Sequence, residues 1–317
     1  MYNSFISVTT VIDSLRDLTL LASFLPKAHQ ILKDNFSDFE IIVVNNAVGE
    51  SIDAYITPLD PEIKHHVFLL NLSSATDKNH AVIAGLDRSN GDYTIIFELQ
   101  FEQEPHRIIE LFEHSRKGFD IVYLRAKERR IRASFRPFYT IFYYILRHYS
   151  DLKIDEKAHA TRIISRRALN SLLRLRENLR YMKAIYAMVG YKTDYIEVDY
   201  PLVRIENSSF GESFKTSLVA ITSFTTFLRS LLLRIFIFSF VFLLGVIVNA
   251  LKVKFTGVDL FGNVGQAISG WTFLVILISV FFAITCLNLY IMSIYLSNIY
   301  AEIKQRPLYI IESIKRF

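Results

Sequence analysis

The sequence predicts an α/β domain, a mostly parallel sheet flanked by helices, followed by interfacial helices and a C-terminal two-helix transmembrane hairpin. Three observations predict it. Apolar strand-like runs alternate with helical segments of about 10–15 residues, the pattern of βαβ units. Two long apolar runs follow, Leu231–Leu251 and Trp271–Leu296; the first carries Arg234 near its start and Asn249 near its end, the second no charge. About 20 helical residues cross a hydrocarbon core of roughly 30 Å. Finally, 51% of the 317 residues are apolar, as expected when two spans are averaged with a soluble part.

The elements follow in order. Phe5–Ile12 alternates β-branched and small residues and reads as a buried strand. Leu18–Phe36 has helical spacing through Leu21, Phe24, Leu25, Ala28, Ile31 and Leu32. Phe39–Val44 is a near-continuous apolar run of the parallel-sheet kind, and Lys64–Leu70 is a third strand. Asn79–Arg88 is helical and stops before Ser-Asn-Gly. Tyr93–Phe97 is a fourth strand, Glu104–Lys117 a helix and Asp120–Leu124 a fifth strand.

Ser134–Tyr149 presents a broad aromatic face, with Phe135, Phe138, Tyr139, Phe142 and Tyr143, beside Arg132, Arg136 and Arg147. A helix of this kind lies in a bilayer interface or packs on the sheet, and both readings stay open. Phe214–Ser230 is a second amphipathic candidate.

The net charge is +5, with Lys and Arg crowding Arg125–Arg136 and Lys304–Arg316. Between the apolar runs stand Lys252 and Lys254 against Asp259. The positive-inside rule then places both termini in the cytoplasm. Basic flanks of spans account for the excess, so no nucleic-acid partner is expected. The start of the chain lacks the pattern of a secretory signal. The single Cys286 excludes an intrachain disulfide and argues against a thiol-ligated metal. The eight histidines show no metal-ligand spacing.

Several motifs then point to one family. Phe39-Glu-Ile-Ile-Val-Val-Asn-Asn46, Lys78-Asn-His-Ala-Val-Ile-Ala-Gly-Leu-Asp87 and Gly91-Asp-Tyr-Thr-Ile-Ile-Phe97 resemble family 2 glycosyltransferases of GT-A fold. Gly270-Trp-Thr272, the second apolar run and Ile299-Tyr-Ala-Glu-Ile-Lys-Gln-Arg-Pro-Leu-Tyr309 resemble the bacterial polyisoprenyl-phosphate glycosyltransferases, relatives of dolichyl-phosphate mannosyltransferase. Arg162-Ile-Ile-Ser-Arg-Arg167 and Gly211-Glu-Ser213 match in order.

The resemblance implies transfer of a sugar from a nucleotide-sugar to a polyprenyl phosphate such as undecaprenyl phosphate. It further implies the cytoplasmic face of a bacterial inner membrane, a Mg²⁺ or Mn²⁺ cofactor and a tetramer. The expected layout is a GT-A-like domain over 1–213, with 134–149 as a possible interfacial helix, and a juxtamembrane helix over 214–230. Spans over 231–251 and 271–296 flank an external loop over 252–270, and 297–317 forms a cytoplasmic tail.

The departures from the family pattern fall at the chemistry. The usual Pro-x-Tyr-Asn-Glu reads Thr10-Val-Ile-Asp-Ser14; the usual Asp-Asp-Gly-Ser reads Asn45-Asn-Ala-Val48; the usual Asp-Ala-Asp reads Glu98-Leu-Gln100. An acceptor-segment Asp falls near Ala160, and the usual Lys-Tyr after Gly-Glu-Ser is Phe214-Lys215.

Carried over position by position, the nucleotide contacts are Thr10, Asp13, Asn45, Asn46 and Lys78. The catalytic group is Glu98, Gln100 and Arg162, and the metal ligands are Glu98, Gln100 and Glu102. The acceptor phosphate falls to Arg125, Lys127, Arg162 and Ser213. Each has a plainer reading as well: Asn45-Asn46 as a strand-to-loop turn, Glu98 as a solvated strand-end acid, Arg162 as an ion-pair partner. The rival function is an inactive relative that scaffolds or regulates a glycan-assembly complex. Two spans without intramembrane charge offer a transporter no polar path.

Overall fold

A computed structural model of the chain describes residues 1–130, 136–150, 152, 154–175, 182–203, 217–218, 220–221, 225–262, 270–303 and 307–317. It divides into two units: Met1–Tyr143 with Leu152–Ser208 and Gln305–Phe317, and Tyr144–Asp151 with Ser209–Lys304.

The first unit begins with β1 (Tyr2–Ile12), α1 (Leu15–Asn35) and β2 (Phe36–Asn45). Two short helices, α2 (Asp53–Ile56) and α3 (Pro61–His65), precede β3 (Val67–Leu72) and α4 (Lys78–Arg88). Then come β4 (Tyr93–Ile96), a 3₁₀ turn at Leu99–Phe101, α5 (Arg107–Ser115), β5 (Ile121–Ala126) and β6 (Arg129–Arg130). After α6 (Arg136–His148) follow β7 (Ala158–Ser165), α7 (Arg166–Arg174), α8 (Met182–Met188), β8 (Thr193–Val198) and β9 (Leu202–Val203). The second unit holds α9 (Phe227–Thr256) and α10 (Gly270–Ile303), and β10 (Ile311–Arg316) returns to the first.

Eight strands form one sheet in the order β10-β3-β2-β1-β4-β7-β5-β8. Strands β3, β2, β1 and β4 are parallel, and β7 runs antiparallel between β4 and β5. The expected strands and helices of the first half all form, with shifted ends. His65 and His66 close a helical turn rather than starting a strand, because Pro61 at the helix start and Asp60 before it begin α3.

Five strands escaped the sequence reading: the two-residue β6 and β9, and β7, β8 and β10. The last corrects the expectation of a plain tail over 297–317, since Ile311–Arg316 pairs antiparallel with β3. Lys315 bonds Asp53 at 2.5 Å, and the Arg316 guanidinium lies 5.4 Å from the Phe68 ring centroid. The polar, half-exposed pattern of β10 is that of an edge strand.

The core follows from the buried faces. Leu18, Leu21, Phe24, Leu25 and Leu32 of α1 are sealed against Val8, Ile41 and Val43 in one cluster. On the other face α4 presses so closely on β1 that a Cβ at Gly85 would stand 2.2 Å from Thr9 Cγ2.

In the second unit, Ser230–Val253 of α9 has mean hydropathy 2.8 with none of it buried, and Val280–Ser297 of α10 has 1.8 with 6% buried. Both helices are long and apolar enough to cross a membrane, and their exposure separates them from the core helices of a soluble protein. Helix α9 outruns the expected span and stops at Gly257 in the left-handed conformation (φ 70°), whose amide bonds Val253 O at 2.9 Å. In α6, Phe142, Tyr143, Ile145 and Leu146 are buried while Ile141 and Tyr144 are exposed, so the helix has an apolar residue set on each side. Of Phe214–Ser230, residues 217–218, 220–221 and 225–230 are described, while Arg132 and the Gly211-Glu-Ser213 turn lie outside the described residues.

One turn is strained. Ala47 sits at φ +53° where β2 ends, the position at which the family carries glycine. Ala47→Gly is expected to raise stability by about 0.5–1 kcal/mol, the left-handed cost of a Cβ less the entropy of glycine, read from denaturant melts.

A buried histidine sets an acid limit. His29 on α1 is 4% exposed against Phe39 and His66, and its Nε2 has no hydrogen-bond partner among the described residues. Burial first, and then the neighbouring His66, hold its pKa below the usual histidine value. Below about pH 6.5 the unfolded chain therefore takes up a proton that the folded one refuses, and stability falls as pH drops from there toward the folded pKa. Melting curves across that window should show the loss, and His29→Leu should flatten it.

Candidate active site

The C-terminal ends of β1, β2, β4 and the start of β7 converge on one edge of the sheet, the edge where open α/β sheets bind ligands. Asn46, expected at the nucleotide, is 4% exposed and fully engaged. Its Nδ2 donates to Asp13 Oδ1 (2.6 Å) and Thr76 O (2.9 Å), while its Oδ1 accepts from Thr76 N (2.9 Å) and Thr76 Oγ1 (3.2 Å). An amide offers two donors and two lone pairs, so all four are spent. Asn46 locks β1, β2 and the loop before α4 together, which corrects its assignment as a ligand contact.

Asn45 keeps capacity. Its Nδ2 donates to Asn71 Oδ1 (2.9 Å) and its Oδ1 accepts from Val48 N (3.0 Å), leaving one hydrogen and one lone pair. Asn71 in turn donates to Ser313 Oγ on β10 (3.0 Å). Asp13 and Lys78 are exposed at this edge. Thr10 is a second correction: it is 1% exposed and closed off from solvent inside the sheet.

Glu98 follows β4 directly. Its Oε2 accepts from Ala160 N (2.8 Å), Thr161 N (3.0 Å) and Thr161 Oγ1 (3.3 Å) on β7, and its own amide donates to Thr161 Oγ1 (3.0 Å). Oε1 makes no hydrogen bond among the described residues. Gln100 Nε2 meets His159 Nδ1 at 3.2 Å, and His159 Nε2 meets Tyr200 O at 3.2 Å. This pair of contacts assigns a neutral imidazole that donates from Nε2 and accepts at Nδ1. Burial, the largest influence, also pushes the His159 pKa down.

Glu102 does not join Glu98, a third correction. The 3₁₀ turn Leu99–Phe101 carries it to α1, where Oε2 accepts from Ser23 Oγ (2.8 Å) and Lys27 Nζ (3.1 Å); Gln103 also donates to its Oε1. Burial raises its pKa, but these donors outweigh it and hold the carboxyl below the usual range.

The fit to a divalent cation is therefore poor. Glu98 offers one free carboxylate oxygen and Gln100 one neutral oxygen, and no cluster of three His, Cys, Asp or Glu able to hold a metal exists among the described residues. Hard cations want several oxygen ligands with carboxylate charge among them.

Fixed cations stand beside this point. Arg162 of β7 is 3% exposed; its Nε donates to Ala160 O (3.1 Å), its Nη2 to His159 O (2.7 Å), and its guanidinium carbon lies 3.7 Å from the Tyr186 ring centroid. Nη1 has no partner among the described residues. Burial pushes the Arg162 pKa down.

Lys183 on α8 donates to Glu156 O (3.0 Å). Its pKa is pushed down to about 7, first by burial and then by the charges of Arg129 and Arg162. Arg162, Lys183 and Tyr186 line a cavity of about 170 Å³ together with Asn79 and Val82 of α4, His159 and Ala160. The sequence reading missed Lys183, His159 and Tyr186; an isolated lysine in a short helix carries no local signal of burial.

The expected acceptor cations are already partnered. Arg125 bonds Asp155 (2.9 Å) and Glu197 (3.0 Å), and Lys127 pairs with Asp199 (2.7 Å) at the surface. Ser213 lies outside the described residues.

Residues 2–173, more than half of the chain, match the family model described as Glycosyl transferase family 2, and the chain belongs to that family. It is 25% identical over 286 residues to an uncharacterized glycosyltransferase of Synechocystis sp., spanning 87% of this chain and 85% of that one. A prophage bactoprenol glucosyl transferase homolog of Escherichia coli K12 is 26% identical over 291 residues, 88% and 90% of the two chains. A mannosyltransferase from Pyrobaculum calidifontis, solved with GDP-mannose and Mn²⁺, superposes on 68% of this chain and 61% of its own at TM-score 0.43 and 13% identity. That last likeness is too loose to bear on the site. The fold is an α/β sheet with flanking helices followed by two long apolar helices, and by its family the protein is a glycosyltransferase.

The two carboxylates should separate cleanly. Glu102→Ala strips Ser23 of its acceptor and Lys27 of one of its two, Gln103 Oε1 remaining, and should cost about 1–3 kcal/mol of stability with nucleotide affinity unchanged. Denaturant melts and calorimetry on the one variant check both halves.

Proposed function

We propose that the protein transfers a glycosyl group from a nucleotide-sugar to a polyprenyl phosphate, undecaprenyl phosphate in a bacterium, for cell-surface glycan assembly. The observation that carries the reading is the buried Arg162 with a free Nη1 over a cavity beside Glu98. A buried guanidinium with no carboxylate hydrogen-bonded to it, lining a cavity, favours an anion such as a phosphate oxygen. The naming of a relative as a bactoprenol glucosyl transferase homolog supports the lipid acceptor.

In this reading α9 and α10 anchor the chain in the membrane with both termini cytoplasmic, where a lipid phosphate is within reach. The nucleotide base meets the spare amide capacity of Asn45, with Asp13 and Lys78 at the rim. The phosphates enter the cavity lined by Arg162 and Lys183. Lys127 reaches an acceptor phosphate by opening its exposed pair with Asp199, an interaction worth little at a surface. Assembly as a homo-oligomer, a tetramer by resemblance, completes the reading.

The chemistry asks little of a base. An acceptor phosphate oxygen is ionised at neutral pH and attacks C1 of the sugar without losing a proton. A residue at Ala160 with no acid function is compatible with that step. A scaffold without chemistry would have no use for a buried cation that destabilises its own fold, which favours the enzyme reading over the inactive one.

The test is sugar transfer to undecaprenyl phosphate by the purified full chain, across UDP-, GDP- and CDP-sugars. Lipid-linked product is expected with one donor, and Arg162→Met should lower its rate by about 10²–10³-fold, the usual cost of one fixed charge-stabilising donor. Absence of product with every donor, in a folded protein that binds no nucleotide, would return the scaffold reading.

A further inference from the structure

We propose that Arg162 and Lys183, rather than a divalent metal ion, hold and neutralise the diphosphate that leaves the sugar. This rests on the glycosyl-transfer reading and deepens it.

The first ground is the donor set. A metal at the end of β4 would find one free oxygen on Glu98 and the neutral oxygen of Gln100, because Glu98 Oε2 is taken by two β7 amides and a hydroxyl. Glu102 is bound to Lys27 on α1. A single charged ligand atom is a thin hold on a cation that surrenders its water reluctantly.

The second ground is charge. Arg162 brings a fixed guanidinium to the cavity wall and Lys183 an amine that titrates near neutrality. The carboxylates beside them are engaged, Glu98 Oε2 by Ala160 N and Asp155 Oδ2 by Tyr123 and Arg125. His159, its Nδ1 accepting from Gln100, adds no charge. A divalent cation would be repelled by the guanidinium and would drive Lys183 neutral, whereas a diphosphate is attracted by the one and draws the other into its charged form.

The third ground is rigidity. Two carbonyls of β7 and the face of Tyr186 fix the guanidinium, and Glu156 O fixes the ammonium. Donors held in place before the reaction stabilise developing charge without a reorganisation cost.

The step balances without a cofactor. A lone pair on the acceptor phosphate oxygen forms the new bond to C1, and the bond from C1 to the β-phosphate oxygen breaks. Its electron pair stays on the β-phosphate, so the nucleoside diphosphate leaves one charge more negative than it arrived. That added charge falls to Arg162 Nη1 and Lys183 Nζ. No proton, oxidant or reductant is consumed.

The experiment uses the full chain in detergent. Calorimetry measures binding of UDP, GDP, CDP, ADP and dTDP in EDTA and in Mg²⁺ or Mn²⁺, alongside sugar transfer under the same conditions. One diphosphate should bind with the same affinity in EDTA as with metal, and transfer should persist in EDTA. Lys183→Met should weaken that binding about 10–100-fold, the loss of a charge-assisted hydrogen bond, and Lys183→Arg should retain it. Binding or transfer that requires metal overturns this inference and leaves glycosyl transfer standing, as does a Lys183→Met protein that binds like the parent. The EDTA comparison on the unaltered chain decides the matter even where a variant fails to fold. No binding and no transfer under any condition overturns both readings together.

Discussion

The site depends on the bond between Glu98 and β7. The β4–β7 ladder pairs Ile96 with Arg162, and there β4 ends. Beyond it the amides of Ala160 and Thr161 would be left without partners, a cost that buried backbone rarely tolerates. Glu98 reaches across and accepts both. With β7 held, the carbonyls of His159 and Ala160 are in place to grip Arg162. One side chain therefore fixes both the loss of a ligand oxygen and the position of the cation beside it.

What was legible in the sequence follows the same physics. Strands β1 to β5 read clearly because both faces of most of them are covered, and their apolar runs are nearly continuous. Strand β8 alternates exposed and half-buried residues at one edge of the sheet, and β10 is charged at the other; edges look like loops or tails when only composition is seen. Glu98 could be singled out because it follows the end of β4, where open α/β sheets present side chains to ligands, whereas Arg162, inside β7, was marked only by the resemblance. Lys183 was not legible, because what sets its environment, the Glu156 carbonyl and the charges of Arg129 and Arg162, is remote from it in sequence. Glu102 misled for the converse reason. Closeness to Glu98 along the chain implied closeness in space, and a single 3₁₀ turn sends it to α1. Asn46 was half legible: a strand-to-loop turn was one open reading, and only the hydrogen-bond count shows that no capacity remains.

The base end of the site leans on the most distant strand in sequence. Asn45 holds the Val48 amide in the turn after β2, Asn71 orients Asn45, and Ser313 of β10 accepts from Asn71. Each amide in this row is oriented by the next, so the remaining donor of Asn45 is fixed from two strands away. Tyr309, just before β10, donates to Asp87 on α4 at 2.5 Å and ties the same segment to the helix behind the site. The segment that follows α10 is thus part of the ligand-binding end of the sheet, a role that its basic composition hides.

The charges around the cavity argue for what belongs in it. Burial acts in one direction on every group: it lowers Arg162, Lys183 and His159 and raises Tyr123. The two carboxylates that act on the cations are both engaged elsewhere, Asp155 by the Tyr123 hydroxyl (2.9 Å) and Arg125 Nε (2.9 Å), Glu98 Oε2 by the β7 amides. Buried cations without a counter-charge weaken a fold. A protein shaped only for stability would carry methionine or leucine at Lys183 and would gain by it. The arrangement becomes favourable when an anion arrives, because the same desolvation that penalises the empty pair strengthens its attraction for a phosphate oxygen. Stability given up in the free protein is in this way returned on binding, and returned most when the leaving group carries its fullest charge.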